Sequence, residues 1–309
     1  MASAVTAPFK WLGGKSKMAR KLLPLLPPHR VYVEAFGGAA ALLLAKPPSP
    51  VEVFNDIDSG VVNFFRVLRD PEKFARFLRM ARLTPYSREE WRACRDSWRR
   101  IEDDAERAWA WWVVARMSFG GMFGKSWGFS VKPARGAAEA VTQWLEAVEA
   151  LPEVAERFRR VIVENRDFRE LAPLYDGPDT LWYMDPPYVP DTRRAGSYGH
   201  EMSLEDHRDL VRLLLGLEGM AILSGYRHPV YAPLEEAGWA RLDFPAACHA
   251  AGRTRASGLR GEGACRLKGQ RRVESVWLSP RARAAAGRGR QLDLRDLEAA
   301  CEAAETMIL

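Results

Sequence analysis

The chain has 309 residues, a formal net charge of +6, 47% hydrophobic residues and 28% charged residues, which is ordinary for a globular protein. No run of 18 apolar residues occurs, so we expect no membrane span, and the N-terminus is too short and uncharged for a signal peptide. The four cysteines are scattered without a Cys-x-x-Cys pair, which favours reduced thiols, a cytoplasmic location and no zinc site.

The first 69 residues predict a strand–loop–helix–strand unit. An arm of two lysines, Trp11 and paired glycines comes first. The apolar pattern then predicts a helix at 18–23, a strand at 31–34, a helix at 40–46, a strand at 51–54 and a helix up to about 69. Asp58 is placed to cap the last of these helices. This order is typical of a βαβ unit.

Residues 70–159 have a different pattern, with apolar positions at helical spacing and no convincing strand. We predict helices at 71–82, 87–101, 104–119 and 137–150. Between the last two lies a loop rich in glycine and aromatic residues, at 120–129. We interpret the segment as an inserted, mainly helical subdomain, in which Trp109, Trp111 and Trp112 pack in the core.

The alternating pattern resumes after residue 160. We predict strands at 161–164, 180–184, 220–224, near 239–244 and at 273–278, helices at 203–217 and 230–237, and a final helix at about 292–306. Residues 252–272 would then form a long loop between the last two strands. The chain is therefore expected to be an α/β protein, with residues 1–69 and 160–309 in one domain and residues 70–159 inserted.

Asp185-Pro186-Pro187-Tyr188 directly follows the buried strand predicted at 180–184. The two prolines fix the backbone and remove two donors. Open α/β sheets bind ligands at the carboxyl ends of their strands. Asp185 and the Pro186 carbonyl would accept two N–H bonds from an exocyclic amino group, and Tyr188 would stack on the ring that carries it. The alternative interpretation is an ordinary turn at the end of a strand.

Three further groups of residues follow strands or precede them. Glycines after the first strand would let a ligand approach the backbone, and Asp56 could accept from both hydroxyls of a ribose. Asp167 could accept from an adenine amino group while Phe168 covers the ring, or it could simply cap the next helix. In the N-terminal arm, Lys15 could meet a carboxylate. The arm is not a Walker A loop, because its glycine spacing differs and no strand precedes it.

Positive charge is concentrated near the C-terminus: residues 250–290 contain 11 Lys or Arg against two acids. Such an excess suits a polyanion such as nucleic acid, although an arginine-rich solvated surface is the alternative. We expect DNA phosphate contacts from Arg255, Arg260, Arg266 and Arg271, and from Lys125 in the loop at 120–129. The five histidines suggest no nucleophilic triad, and we expect all of them to be structural.

In order and content, these motifs resemble those of the Dam-type (alpha-class) S-adenosylmethionine-dependent DNA adenine-N6 methyltransferases. The resemblance runs from about residue 8 to residue 278. It rests on the Lys-Trp-x-Gly-Gly-Lys motif at 10–15, the aromatic-glycine loop at 34–39, Asp56, the pair Asp167-Phe168, and the Asp-Pro-Pro-Tyr motif at 185–188. The loop reads Phe-Gly-Gly-Ala here, where Phe-x-Gly-x-Gly is commoner in the family.

The resemblance implies a class I methyltransferase fold: a Rossmann-like, seven-stranded mixed sheet with an antiparallel last strand and a helical target-recognition insert. It implies S-adenosyl-L-methionine as the cofactor. Trp11 and Lys15 would line the methionine end, Glu34, Phe36, Gly37 and Gly38 the main cradle, Asp56 and Ile57 the ribose, and Asp167 and Phe168 the adenine. Asp185, with Pro186, Pro187 and Tyr188, would bind the target amino group beside the cofactor.

The partner implied is double-stranded DNA, from which one adenine would be flipped out, with no metal and no membrane involved. The enzyme would be a bacterial or phage-encoded cytoplasmic monomer, and a candidate for a restriction–modification system. Two alternatives remain open. The substrate could be another planar amino group, on RNA adenine, cytosine N4 or a protein glutamine amide. The chain could also be an inactive DNA-binding remnant. Asp rather than Asn or Ser at position 185 favours DNA adenine.

Overall fold

A computed structural model of the chain describes residues 5–16, 18–192, 199–246 and 272–286. Seven strands form the main sheet: β1 (Val31–Glu34), β2 (Val51–Asn55), β5 (Val161–Glu164), β6 (Thr180–Met184), β7 (Met220–Gly225), β8 (Ala240–Ala246) and β9 (Arg272–Leu278). Their spatial order is β5-β2-β1-β6-β7-β9-β8, and β9 alone among them pairs antiparallel with both neighbours. The mixed sheet with an antiparallel last strand is therefore confirmed.

Eleven helices accompany the strands in the described part of the chain. They are α1 (Ala19–Leu22), α2 (Ala41–Ala45), α3 (Ser59–Arg69), α4 (Pro71–Leu83), α5 (Arg88–Ser97), α6 (Asp104–Met117), α7 (Glu139–Phe158), α8 (Ala172–Tyr175), α9 (Leu204–Gly216), α10 (Ala232–Glu236) and α11 (Pro280–Ala286). Asp58 caps α3 as predicted, by accepting from the Gly60 N–H. The loop expected at 252–272 and the helix expected at 292–306 lie largely or wholly outside the described residues.

The sheet is buried on both faces, which explains why its central strands read as continuous apolar runs. Tyr32 and Tyr183 point into one hydrophobic cluster, shared with helices α3 to α7. Val33 and Trp182 point into the other cluster, shared with α9 and α10. Neighbouring strands are in register, with Val33 opposite Trp182. All their carboxyl ends except that of β9 therefore meet at one edge of the sheet.

Two expectations for residues 70–159 were wrong. The segment does contain strands, a short hairpin of β3 (Pro133–Ala134) and β4 (Ala137–Ala138), whose turn residues Arg135 and Gly136 both have positive φ. Strands of two residues leave no periodic signal in a sequence. The last helix does not end at 150 but continues through Pro152 to Phe158. Packing of its apolar face stabilises the helix in spite of the proline, since Phe158 stacks on Phe65 at 4.0 Å between ring centroids.

The helices of this segment share one hydrophobic cluster with the sheet, and Trp111 and Trp112 are fully buried there as expected. Phe158 also contacts Phe54 of β2, so α7 packs on the sheet itself. The division into a separate inserted subdomain stays a prediction. No helix among the described residues is long and apolar enough to cross a membrane.

A buried ion cluster joins three elements at the sheet edge opposite the carboxyl ends. Glu52 at the start of β2 accepts from Lys46 at 2.5 Å and from Arg157 of α7 at 2.8 Å. The side chains are 0%, 1% and 9% exposed, respectively. Two cations held by one carboxylate out of water make that carboxylate hard to replace, since its removal leaves both charges uncompensated.

Glu52→Gln should lower the free energy of unfolding by about 3 kcal/mol, because the amide keeps the shape but not the charge that pairs with Lys46 and Arg157. Urea denaturation followed by circular dichroism is the measurement. Glu156→Gln is the matched control: Glu156 also lies on α7 and pairs with Arg159, but its side chain is 73% exposed. The control should unfold at the wild-type urea concentration. Equal midpoints for the two variants would contradict the role of the cluster.

Candidate active site

A cleft of about 730 Å³ lies at the carboxyl edge of β1, β2 and β6. This is where the crossover connections of a parallel sheet leave room for a ligand. Its walls come from the N-terminal arm (11–15), the loop after β1 (34–41), the turn after β2 (56–58), the end of β6 (183–187), and Gly199 with His200.

The loop after β1 holds its backbone against the cleft because it consists of small residues. At Gly37, an added Cβ would lie 2.1 Å from the Phe54 ring. Gly38 has φ +48°, and a Cβ there would lie 2.8 Å from Trp11. The amides of Gly37 and Gly38 donate to the Asn55 carbonyl at 2.8 Å and to Asp56 at 2.7 Å. The sequence therefore builds a cradle that only glycine can line.

Two asparagines, which the sequence analysis missed, fix the strand ends that carry this cradle. The Asn55 amide donates to Ala35 and Arg166 carbonyls at 2.9 and 3.1 Å, and its oxygen accepts from the Arg166 N–H at 2.9 Å. Asn165 donates to the Asp56 carbonyl at 2.8 Å. The ends of β1, β2 and β5 are thus tied together. A buried Asn at a strand end was the available signal, since buried amides need partners.

Carboxyl groups dominate the charge of the cleft. Asp56 accepts from the Asp58 and Gly38 amides, yet burial raises its pKa to about 6. Glu34 accepts from the Tyr32 hydroxyl and the Leu43 amide, and burial raises its pKa to about 8. Burial disfavours the ionised forms of both acids, so a cation bound in the cleft would stabilise those forms. The cleft therefore suits a ligand with positive charge.

Lys15 joins the two ends of the chain at the cleft. Its ammonium group contacts Asp185 at 2.7 Å, Glu274 of β9 at 2.9 Å and the Tyr188 hydroxyl at 2.7 Å. The Tyr188 hydroxyl donates to Glu274 at 2.5 Å. Burial alone would lower the pKa of Lys15, but Asp185 and Glu274 outweigh it and raise that pKa well above its usual value. The carboxylates that Lys15 meets are thus the protein's own, and its contact with a cofactor stays a prediction.

Asp185 lies at the end of β6 with its side chain 15% exposed, and it lines the cleft with Pro186 and Pro187. Burial raises its pKa to about 6, although Lys15 opposes the rise. A carboxylate has about four acceptor positions, so Asp185 can bind Lys15 and still accept from a ligand. Among the described residues, no donor bonds to the Pro186 carbonyl oxygen.

Three of the predicted site residues are not on the walls of this cleft. Asp167 caps the turn after β5 and its carboxylate binds Arg169 at 2.9 Å. Phe168 is buried behind Phe36, with ring centroids 5.4 Å apart. Tyr188 is 5% exposed and packs edge-on against Tyr226. Stacking of Tyr188 on a base would require these two rings to open. The roles predicted for the three residues stay predictions.

The remaining predicted residues divide between the cleft and the rest of the chain. Trp11, Phe36 and Ile57 line the cleft, and Ile57 is 46% exposed. Lys125 is exposed in the loop after α6. Arg255, Arg260, Arg266 and Arg271 lie outside the described residues. His200 lies on the cleft wall. The expectation that all five histidines are structural stays a prediction.

A second cavity, of about 810 Å³, lies beside the arm and under the loop after α6. Lys10 and Arg116 line it with Phe119 and Phe129. Burial lowers the pKa of Arg116 to about 10, and burial followed by the charge of Arg116 lowers that of Lys10. No carboxylate among the described residues forms a salt bridge with Arg116, whose guanidinium donates to the Gln143 carbonyl. Glu139 also lines the cavity and opposes the lowering of the Lys10 pKa, and Lys10 donates to the Gln143 side chain at 2.7 Å, so the cavity carries both charges.

Two comparisons with known proteins identify relatives of this chain. The family described as "D12 class N6 adenine-specific DNA methyltransferase" matches residues 11–231. The chain is also similar to a DNA N-6-adenine-methyltransferase of Escherichia phage P1, with 26% identity over 215 residues. That alignment covers 67% of this chain and 27% of the phage protein, so the chain spans about a quarter of its relative's length.

Gly37→Ala should destabilise the fold by about 1–3 kcal/mol, because the new Cβ overlaps Phe54, which is packed between Phe65 and Phe158. Gly216→Ala is the matched control, since a Cβ at Gly216 meets nothing within 4 Å. Chemical denaturation of both variants is the measurement. An unchanged midpoint for Gly37→Ala would show that the cradle tolerates a side chain and is not shaped by Phe54.

Proposed function

The chain belongs to the D12 class N6 adenine-specific DNA methyltransferase family, and from this premise we propose that it transfers a methyl group from S-adenosylmethionine to N6 of adenine in DNA. The observation that carries the proposal is the position of Asp185-Pro186-Pro187. The motif stands at the carboxyl end of β6, on the wall of a cleft that the glycine cradle after β1 also lines. A methyl donor and an amino acceptor would therefore meet in one enclosure.

The cleft fits the proposed cofactor by the shape of its backbone and by its charge. Gly37 and Gly38 allow close approach to the backbone, where any other residue would collide with Phe54 or Trp11. Asp56 stands at the end of β2, where nucleotide-binding sheets place the acid that holds a ribose. The raised pKa values of Glu34 and Asp56 match a cationic ligand. Trp11 and Ile57 supply apolar surface around it.

When bound, S-adenosylmethionine supplies an electrophilic methyl group on a sulfonium. The chain's own residues have to prepare the nucleophile. The N6 lone pair of adenine is delocalised into the ring, so the amino group is a poor nucleophile. Asp185 and the Pro186 carbonyl would accept hydrogen bonds from its two N–H groups. These bonds would draw the nitrogen towards sp³ geometry and aim its lone pair at the methyl group. The gain in rate would come largely from positioning the two reactants.

The target atom is not accessible within a duplex, so the adenine would be flipped into the cleft at a cost of a few kcal/mol. The loop after α6 is close enough to assist, because Gly121 packs against the Trp11 backbone at the cleft wall. We propose that Lys125 and the arginines at 255, 260, 266 and 271 contact DNA phosphates. Phosphate contacts supply affinity and register, and base contacts supply sequence choice.

Two alternative functions lead to different results in one assay. A methyltransferase for RNA adenine, cytosine N4 or a protein amide would leave DNA adenine unmodified. An inactive DNA-binding remnant would bind DNA without cofactor. The ion pair between Lys15 and Asp185 and the intact glycine cradle both favour an active enzyme, since neither is needed to bind DNA. Methylation of plasmid DNA, followed by single-molecule mapping of modified bases, tests the proposed function and gives the recognition sequence. Calorimetry of S-adenosylmethionine binding then separates the two alternatives, since an inactive remnant would not bind the cofactor.

Asp185→Ala should slow methyl transfer by two to three orders of magnitude (about 100- to 1,000-fold), because one of two acceptors for the amino group is lost. Incorporation of a labelled methyl group into DNA under single-turnover conditions is the measurement. Asp191→Ala is the matched control, on the same segment but with a side chain 71% exposed. Near-wild-type transfer by Asp185→Ala would refute the assigned role.

Asp56→Ala should weaken cofactor binding far more than it slows turnover at saturating cofactor. The loss of a charged acceptor for two hydroxyl groups costs on the order of 1.5–3 kcal/mol. Calorimetry of S-adenosylmethionine binding tests this, with Asp243→Asn on β8 as a control away from the cleft. An unchanged dissociation constant for Asp56→Ala would rule out the contact between Asp56 and the ribose.

A further inference from the structure

Glu274 is a carboxylate of the active-site region that no motif in the sequence indicates. It lies on β9, the antiparallel strand, and is 9% exposed. It accepts from the Tyr188 hydroxyl and forms an ion pair with Lys15, which in turn pairs with Asp185. The Lys15 ammonium has three N–H donors for four acceptors, since the Gly13 carbonyl also lies at 3.0 Å. Its charge is thus divided between two carboxylates.

Six titratable groups face Asp185, and they come from six places in the chain. They are Lys15 of the arm, Glu34 of β1, Tyr183 of β6, Tyr188 after β6, Tyr231 before α10, and Glu274 of β9. Lys15 is the one cation in this set, and Glu274 shares it directly with Asp185. Because both carboxylates bond to one nitrogen atom, their bound oxygens lie within about 6 Å of each other, close enough for strong repulsion in a partly dry site.

We propose that Glu274 is a positioning residue for methyl transfer. It shares the Lys15 ammonium group with Asp185, so that the lysine holds Asp185 in place without fully neutralising the Asp185 charge. This inference rests on the proposed function, in which Asp185 accepts from the substrate amino group. A carboxylate paired with an unshared ammonium is a weaker acceptor. With Glu274 present, the three charged groups carry a net charge of −1, and Asp185 keeps its acceptor strength. Tyr188 fixes the geometry by bonding to both Lys15 and Glu274.

Glu274→Gln isolates the charge, because the amide oxygen can still accept from Tyr188 and Lys15. The wild-type rate of methyl transfer should fall as Asp185 gains a proton, below about pH 6. Loss of the Glu274 charge removes a repulsion that favours this protonation. The acid limb of the single-turnover rate should therefore move to lower pH, by about one unit, with a lower plateau above it. A residue that merely supported the fold would lower the rate without moving the limb.

Glu274→Asp keeps the charge and should leave the acid limb at its wild-type position. Asp243→Asn is the matched control and should also leave it there: Asp243 accepts from Ser275, the next residue of β9, at 2.6 Å but does not contact Lys15. If Glu274→Gln does not fold, Glu274→Ala removes the same charge and should move the limb to lower pH.

The second measurement needs neither cofactor nor DNA. The carboxyl ¹³C signal of Asp185, assigned by its absence in Asp185→Asn, should titrate at lower pH in Glu274→Gln than in the wild type. An unmoved signal and an unmoved limb would overturn the role of Glu274. Absence of DNA methylation by the wild-type protein would overturn the proposed function instead, and the carboxyl titration would still decide how Glu274 acts on Asp185.

Discussion

The Lys15 ion pairs are the interaction on which the cleft depends, because they join three parts of the chain that no local structure connects. Lys15 belongs to the arm before β1, Asp185 ends β6, and Glu274 lies on β9. Each group is mostly buried, so each would be costly alone. The arm is thereby held at the sheet edge, and with it Trp11, which lines the cleft together with Ile57. A parallel sheet supplies an edge with converging strand ends, and this cluster turns that edge into an enclosure.

The chain contains two buried ion clusters with opposite consequences. Around Glu52, at the start of β2, two cations pair with one carboxylate. Five hydrogen bonds and ion contacts there offset the cost of burying these charges. At the cleft, carboxyls outnumber their cations, and the pKa values of Glu34, Asp56 and Asp185 are all raised. Such unfavourable ionisation is typical of functional sites. A bound cation or hydrogen-bond donor would lower this cost of ionisation, and the gain would contribute to the free energy of binding.

The sequence predicted the central sheet well and the contacts across it poorly, for one physical reason. The strands at 31–34, 161–164 and 180–184 were confirmed at their predicted bounds because each is a short apolar run, including the edge strand β5, where Ile162 is 41% exposed. Motif position also located the glycine cradle and Asp185. The contacts of Glu274 and Asn55 were missed, because they join strands that are distant in the sequence, which periodicity does not contain. Asp167 shows a local limit: its ion pair with Arg169, two residues further along the chain, leaves no periodic signal either.

The loop expected to face DNA is coupled to the cleft by packed aromatic rings and not by a hinge. Trp11 on the cleft wall contacts Trp111 of α6 at 5.8 Å and Phe123 of the loop at 6.2 Å between ring centroids, and Trp111 stacks on Phe123 at 5.5 Å. Packed rings have few alternative arrangements, so a shift of the loop has to displace Trp11 or leave a void. Trp11 also sits against Gly38 of the cradle. DNA contacts made by the loop would therefore be transmitted to the walls of the cofactor cleft through three side chains, which offers a physical basis for coupling target recognition to methyl transfer.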